Sequence, residues 1–245
     1  MTQVLYQRAM LNSAFDYEKG KQPFDRFVIM TGQDYPLMSN KEIIKAYEEQ
    51  PNKIYMTGMN LTRRGTKKIK EKFTVYHLFR DLPFRNPKIK QAFSFSARTL
   101  MRILPVRKCD HISYPNGGIW DVYQASGYMS LPHDVARLVH DNLNENQILM
   151  KYFKYSFVPE EYVIPTIIFN SKYKNQATEW KDSYKGLNRL SALEEFHYGD
   201  AIKVYTETDF GYLVSCGKMF ARKLETGKSD KLMDLLDEYN SVGIL

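Results

Sequence analysis

The stretch Ser156-Phe-Val-Pro-Glu-Glu-Tyr-Val-Ile-Pro-Thr-Ile-Ile-Phe-Asn-Ser171 constrains this chain more than any other. Val163, Ile164, Ile167 and Ile168 recur at the spacing of a buried helical face. Pro159 has the fixed φ and the missing N–H that suit a first helical position. Glu160 and Glu161 then fall in the first turn, where unpaired N–H groups and the positive end of the helix dipole favour carboxylates. Pro165 lies too far in for an N-terminal proline, so the pattern predicts a kink or a short first turn. A carboxylate held there stays ionised at neutral pH, which suits a general base that deprotonates a hydroxyl. Two acids that merely dress a helix N-terminus give the same pattern, and spacing alone does not separate the readings.

The rest of the composition is that of a folded globule. The chain has 245 residues, 43% hydrophobic and 14% aromatic with 18 Tyr, which excludes a disordered segment and suffices for one large domain over 1–245. A net charge of +7 should attract phosphates, nucleotides or anionic lipid. Most of that excess lies in Arg63-Arg-Gly-Thr-Lys-Lys-Ile-Lys-Glu-Lys72, six bases against one acid. Such a run is a solvated face, an acceptor-side loop, or an electrostatic tether to an anionic membrane. No zinc-finger or RNP-type signature accompanies it, so nucleic acid is not an expected partner. Cys109 and Cys216 show no metal-ligand spacing and read as two reduced thiols of a cytosolic protein. The five histidines (77, 111, 133, 140 and 197) offer no convincing metal pair; His133 and His140 share a helix with no carboxylate obvious beside them. No apolar run approaches the length of a membrane span, and no signal-peptide pattern opens the chain.

In chain order, residues 2–19 read as a helix with Val4, Leu5, Ala9, Met10, Ala14 and Phe15 partly on one face. Residues 25–31 read as a buried strand ending in the turn Gly32-Gln-Asp-Tyr-Pro36, where open α/β sheets place ligands. Asp34 in that turn either faces a ligand or only ties the turn by an Asx bond. Ser39-Asn-Lys-Glu42 is a capping box. Strands are expected over 53–56, 73–79 and 202–205, the second bringing Tyr76 and His77 towards the substrate. Residues 87–105 should form a helix or two outside the sheet, and Asn116-Gly-Gly118 a turn. Pro132 should open a helix through Val135, Leu138 and Val139. Residues 172–200 read as a polar surface excursion that closes over the site. Thr208-Asp209 should cap a helix leading to Phe220-Ala-Arg-Lys223, and Ser229-Asp230 the last helix, with Leu232, Leu235, Leu236 and Tyr239 inward.

Three separated blocks resemble the core-2/I-branching β-1,6-N-acetylglucosaminyltransferase and xylosyltransferase family, the Branch domain. Met30-Thr-Gly-Gln-Asp-Tyr-Pro-Leu-Met-Ser-Asn40 is similar to the family's Ser-Gly-x-Asp-Phe-Pro-Leu-Lys-Ser block. Val158-Pro-Glu-Glu-Tyr-Val-Ile-Pro-Thr166 is similar to Ser-Pro-Asp-Glu-x-x-x-x-Thr. Asp209-Phe, Ser215 and Lys218-Met-Phe-Ala-Arg-Lys223 are similar to Asp-Phe…Ser-x-x-Leu-Phe-Ala-Arg-Lys. The resemblance implies that Glu161 is the catalytic base, that Asp34 helps hold the donor, and that Lys223 with Arg222 neutralises the nucleotide pyrophosphate. An arginine that some relatives carry upstream is absent, leaving Lys203 as its substitute. Ala125-Ser-Gly-Tyr-Met-Ser-Leu-Pro-His133 is similar to an acceptor segment Gly-Ser-x-Trp/Tyr-Phe-x-Leu-x-Arg, with Ala125 for Gly and His133 for Arg. Tyr128 matches its aromatic position and is the candidate for stacking on the acceptor, a core tyrosine being the alternative; Glu160 is placed on the acceptor side.

The fold so implied is α/β and GT-A-like (Rossmann-like), a mixed sheet flanked by helices, shortened at its N-terminus by one β-α-β unit. The activity implied is inverting transfer from a UDP-sugar, UDP-GlcNAc before UDP-xylose, to a glycan hydroxyl; the alternatives are an inactive or truncated relative that only binds glycan, and a basic nucleic-acid or membrane-surface binder using residues 63–72. No Asp-x-Asp occurs in the sequence, so no divalent metal or other cofactor is expected and bases must meet the leaving charge. Animal relatives are rich in disulfides, so two cysteines suggest a bacterial cytoplasmic protein engaged in capsule or exopolysaccharide synthesis, in peripheral contact with the inner membrane.

Overall fold

The computed structural model describes residues 2–78, 86–104, 106–199 and 201–242. Helix α1 (Thr2–Glu18) buries Val4, Gln7, Leu11 and Phe15, a strict one-side stripe. Leu5 and Met10, expected on that face, are exposed. Strand β1 (Arg26–Ile29) leads through a turn to β2 (Asp34–Pro36), and the Ser39/Glu42 capping box opens α2 (Asn40–Glu49) as expected. Strand β3 (Thr57–Asn60) begins just after the stretch expected to be a strand; residues 53–56 contribute only one bridge, Tyr55 to Ser130.

The basic decapeptide is helical. Asn60 caps α3 (Leu61–Arg64) and Thr66 caps α4 (Lys67–Thr74), so helix runs into the segment expected to be an edge strand. Tyr76 and His77 pack beside 155–157 instead, His77 N donating to the Tyr155 carbonyl. Phe79 lies outside the described residues. Helix α5 (Pro87–Ile103) leaves Phe93, Phe95, Leu100 and Ile103 exposed rather than packed on a sheet. Strands β4 (His111–Ser113) and β5 (Ile119–Asp121) form a hairpin around the Asn116–Gly118 turn, where Gly117 takes φ 82°. Short strand β6 (Tyr123–Gln124) and β7 (Met129–Pro132) follow, then α6 (His133–Glu145) and α7 (Gln147–Phe153).

A 3₁₀ turn over Pro159–Glu161 precedes α8 (Val163–Phe169), every residue of which is buried. Beyond it come β8 (Thr178–Glu179), a 3₁₀ turn over Leu187–Leu190 and β9 (Glu194–Phe196). The excursion expected over 172–200 therefore contributes two strands and buries Leu190, Leu193 and Phe196. A 3₁₀ turn at Glu207–Asp209 enters α9 (Phe210–Ser215), followed by β10 (Phe220–Arg222) and α10 (Asp230–Val242). Residues 202–205 form no strand beyond a bridge at Ile202. Leu232 and Leu236 of α10 are fully buried, whereas Leu235 and Tyr239 point outward.

The strands make four small sheets among the described residues: β1–β7, β2–β10–β9, β6–β3–β8 and β4–β5. Two of these mix parallel and antiparallel pairs, which agrees with an α/β protein, but no single wide sheet is formed. The main apolar core joins α1, β3, β6, β7, α6 and α8. A second, around Leu37, Tyr205, Leu213, Ala221, Leu232 and Leu236, underlies the β2–β10–β9 sheet. No described helix is long and apolar enough to cross a membrane.

Candidate active site

Glu161 does not sit in the first turn of the buried helix. The 3₁₀ turn ends at Tyr162 (φ −115°), and α8 starts at Val163. Pro165 is the physical reason. A continuous α-helix would bond the N–H of residue 165 to the carbonyl of residue 161, and proline has no N–H to give. The freed Glu161 carbonyl accepts from Ala125 N at 3.0 Å instead, which stitches the acidic turn to the segment after β6. On the other side of the turn, Val158 is held at φ 47°, ψ 56°. That left-handed conformation costs a β-branched residue about 1–3 kcal/mol and is maintained only where surroundings over-determine it. Here they do, because Phe157 N donates to the Lys72 carbonyl and Pro159 is buried.

The Glu161 carboxylate is fixed by Gln124, whose Nε2 donates to Oε2 at 2.7 Å. Gln124 is fully buried, and its own Oε1 has no partner among the described residues. Tyr184 stands near enough that the Glu161 charge, after burial, helps raise its phenol pKa. Beneath the acidic turn, Lys108 donates to the Tyr152 carbonyl at 2.8 Å and to Ser156 Oγ at 3.0 Å, and burial pulls its pKa down to about 7.

The chain from Gln124 runs directly to the second cluster. Ser126 N donates to the Leu190 carbonyl, and Tyr128 N to Ser126 Oγ. The Tyr128 ring carries the Arg222 guanidinium 4.5 Å from its centroid. Register places Arg222 opposite Asp34 on β2 and opposite Phe196 on β9, so Asp34, Arg222 and Glu194 share one face of the small sheet. The other face carries Tyr35 and Glu195, bonded to Asp237 and Tyr212. Arg222 Nε and Nη1 are buried with no acceptor among the described residues. Burial lowers the Arg222 pKa and the Asp34 charge opposes that shift. Glu194 is 2% exposed, and its Oε1 has no partner among the described residues; burial, aided by the Asp34 charge, pushes it up to about 9.

The remaining sequence-chosen residues lie in less open settings. Asp34 ties its own turn, accepting from Thr31 N at 2.6 Å and Thr31 Oγ1 at 3.1 Å, so the Asx reading describes its carboxylate while its charge still acts on Arg222. Arg222 and Lys223 are on and just after a strand, not at a helix C-terminus. Gly217, at φ 71°, turns the chain after α9 and frees 220–222 to pair. Lys223 is paired with Glu225 at 2.5 Å and Lys203 with Asp209 at 2.5 Å. Glu160 turns towards α1, where its carbonyl accepts from Gln7 Nε2 and its Oε2 is buried without a partner among the described residues. It does not join Tyr128. His133 does have a carboxylate beside it, Glu18 of α1 at 3.1 Å, and His140 bonds Asp141. No group of three metal-ligating side chains occurs among the described residues.

Sequence reasoning passed over Gln124, Tyr184 and Glu194. Gln124 directly precedes the acceptor-like segment, and its neighbour Tyr123 faces the other way, so period-2 alternation was the available signal. Nothing local distinguishes Glu194 from Glu195.

One carboxylate held by Gln124 and, four residues further along the same segment, a tyrosine ring carrying Arg222 are the two polar clusters that the fold brings onto one stretch of chain. The sequence pattern of the core-2/I-branching enzymes matches residues 1–185, and the chain belongs to that family of glycosyltransferases. The match takes in Asp34, Tyr128 and Glu161; Glu194, Lys203, Arg222 and Lys223 lie beyond it. No curated protein matches the sequence.

Proposed function

We propose that this chain is a metal-independent, inverting glycosyltransferase that moves a sugar, GlcNAc first and xylose second, from its UDP conjugate to a hydroxyl of a glycan. Branching through a β-1,6 linkage follows the family. The observation that carries the reading is the Gln124–Glu161 bond, continued through Tyr128 to Arg222 with its unpartnered N–H groups. Glu161 takes the proton from the acceptor hydroxyl, and that oxygen attacks the anomeric carbon. The bond from that carbon to the diphosphate breaks with inversion, and UDP leaves. Arg222 supplies the first cation for the leaving charge, with Asp34 holding it on the sheet face. Lys223 and Lys203 join it once diphosphate oxygens displace Glu225 and Asp209. Tyr128 keeps Arg222 in place and offers the acceptor sugar its ring edge. Glu160 serves the acceptor side only through the backbone of the turn that it shares with Glu161.

The paired state of Lys203 and Lys223 favours a second reading, a glycan-binding relative without donor binding. Calorimetry with UDP-GlcNAc in EDTA decides between them. The transferase reading expects saturable binding that weakens at least about tenfold in Arg222→Ala and less in Lys223→Ala. It also expects Glu161→Gln to bind the donor normally while kcat falls about 10²–10⁴-fold. No binding of UDP-GlcNAc or UDP would leave the glycan-binding reading standing.

A further inference from the structure

A second cleft lies on the far side of β6 from Glu161. Neighbouring strand residues point to opposite faces, so Gln124 serves the carboxylate while Tyr123 lines this cleft, about 960 Å³ in volume. That is room for more than a monosaccharide. Its floor is one connected polar network: Asn60 Nδ2 donates to Asp121 Oδ2 at 2.8 Å and to Tyr123 Oη at 3.0 Å, and Arg63 Nε donates to the same carboxylate at 2.8 Å. The Phe169 ring, stacked on Tyr123 at 4.6 Å, forms a wall.

The rim is cationic. Arg64 Nη1 donates to the Lys181 carbonyl, fastening the strip after β8 to α3. The exposed ammonium groups of Lys174 and Lys181 border the cleft and have no acceptor among the described residues. Asp121 is already bridged to Arg63, which leaves Glu179 as the only acid of the lining without a base on it among the described residues. The surplus positive charge therefore faces an occupant and not the protein. The same strip runs on to Tyr184, beside Glu161, and to Leu190, bonded to Ser126.

We infer that this cleft binds an anionic, hydroxyl-rich chain, a uronate-bearing stretch of the acceptor glycan. Lys174 and Lys181 meet its carboxylates, and the Asp121–Asn60–Tyr123 network meets its hydroxyls. The glycan half of this inference rests on the transferase reading; the preference for an anion rests on the two lysines. Two of the six bases of the basic decapeptide find a use here: Arg63 and Arg64 belong to the cleft, whereas Lys67 and Lys68 sit on the exposed face of α4.

The test is binding of a labelled hexagalacturonate to the full chain, beside a neutral chitohexaose, a hexanucleotide and inorganic phosphate. Hexagalacturonate should bind at least about tenfold more tightly than either other oligomer, with affinity falling as salt rises. Lys174→Ala/Lys181→Ala should weaken it at least about tenfold. Lys67→Ala/Lys68→Ala, the same change in net charge outside the cleft, should change it less than about twofold. Equal losses in the two double variants, tighter binding of the hexanucleotide, or displacement by phosphate at equal concentration would each overturn the inference. Glu161→Gln separates the two readings: it should keep hexagalacturonate binding and lose transfer. A chain that binds the hexamer but transfers nothing would sink the transferase reading and leave the anion preference of the cleft intact.

Discussion

At the residue scale, Gln124 does for Glu161 what the acidic turn cannot do alone. One bond of 2.7 Å, from a side chain with no solvent exposure, holds Oε2 of the carboxylate and so fixes how the group is aimed. Gln124→Ala should lower kcat about 10–100-fold with KM nearly unchanged, because aim is lost and not substrate contact. Steady-state kinetics on the two proteins would show it, and a rise in KM alone would contradict it. Glu194 is the residue whose cost is visible in stability. Its pKa of about 9 in the fold exceeds the ordinary 4.5, so the folded state holds an extra proton between those values and stability falls as pH rises through them. Glu194→Gln keeps the shape without the titration, and should stabilise the protein by about 1–3 kcal/mol at pH 7 and by almost nothing near pH 4.5. Lys108 runs the opposite way. Its folded pKa, about 7, lies below the ordinary 10.5, so the unfolded chain binds the extra proton and stability should rise with pH across that window. Lys108→Met should flatten that rise in denaturant titrations at several pH values.

At the element scale, glycine and proline decide the site more than the apolar pattern does. A Cβ on Gly58 would stand 2.1 Å from the Phe169 ring, which lies across β3 to stack on Tyr123. Gly58→Ala should cost about 1–3 kcal/mol and disturb the cleft, and Phe169→Leu should relieve part of that cost in the double variant. A pair of additive losses would refute the contact. Pro165 shows what was readable in the sequence. Its break was anticipated from the missing N–H, but the partner that takes over the Glu161 carbonyl, Ala125, is remote in sequence and had no local trace. The Ser39/Glu42 capping box, the Asn116–Gly118 turn and helices such as α1, α2 and α6 were legible because each rests on contacts within a few residues, whereas α3 and α4 were missed. The expected strands over 53–56, 73–79 and 202–205 went astray for the converse reason. Short apolar runs do not distinguish a strand from a helix end or a packed loop, and only a distant partner chooses. Arg222 and Lys223 were found by motif, yet were placed on the wrong element because Gly217 ends α9 early.

At the scale of the whole molecule, the candidate site spans two cores. Glu161 and Gln124 stand on the large one, while Asp34, Arg222 and Glu194 stand on the sheet packed over Leu37, Leu232 and Leu236. Leu236→Ala should cost about 2–5 kcal/mol in the smaller core, so that UDP binding is lost on heating before the helical signal of the larger core. Calorimetric binding and circular dichroism over one temperature series would show the two losses apart; their coincidence would mean the cores melt together. The unsatisfied guanidinium of Arg222 has a further consequence. A fold that buries donors without acceptors is completed by whichever anion supplies them, and an anion at 100 times its Kd adds about 2.7 kcal/mol to folding. If that anion is the diphosphate of the proposed nucleotide-sugar donor, the lifetime of the chain among proteases would follow the donor's level, and scarcity would thin the protein as well as idle it.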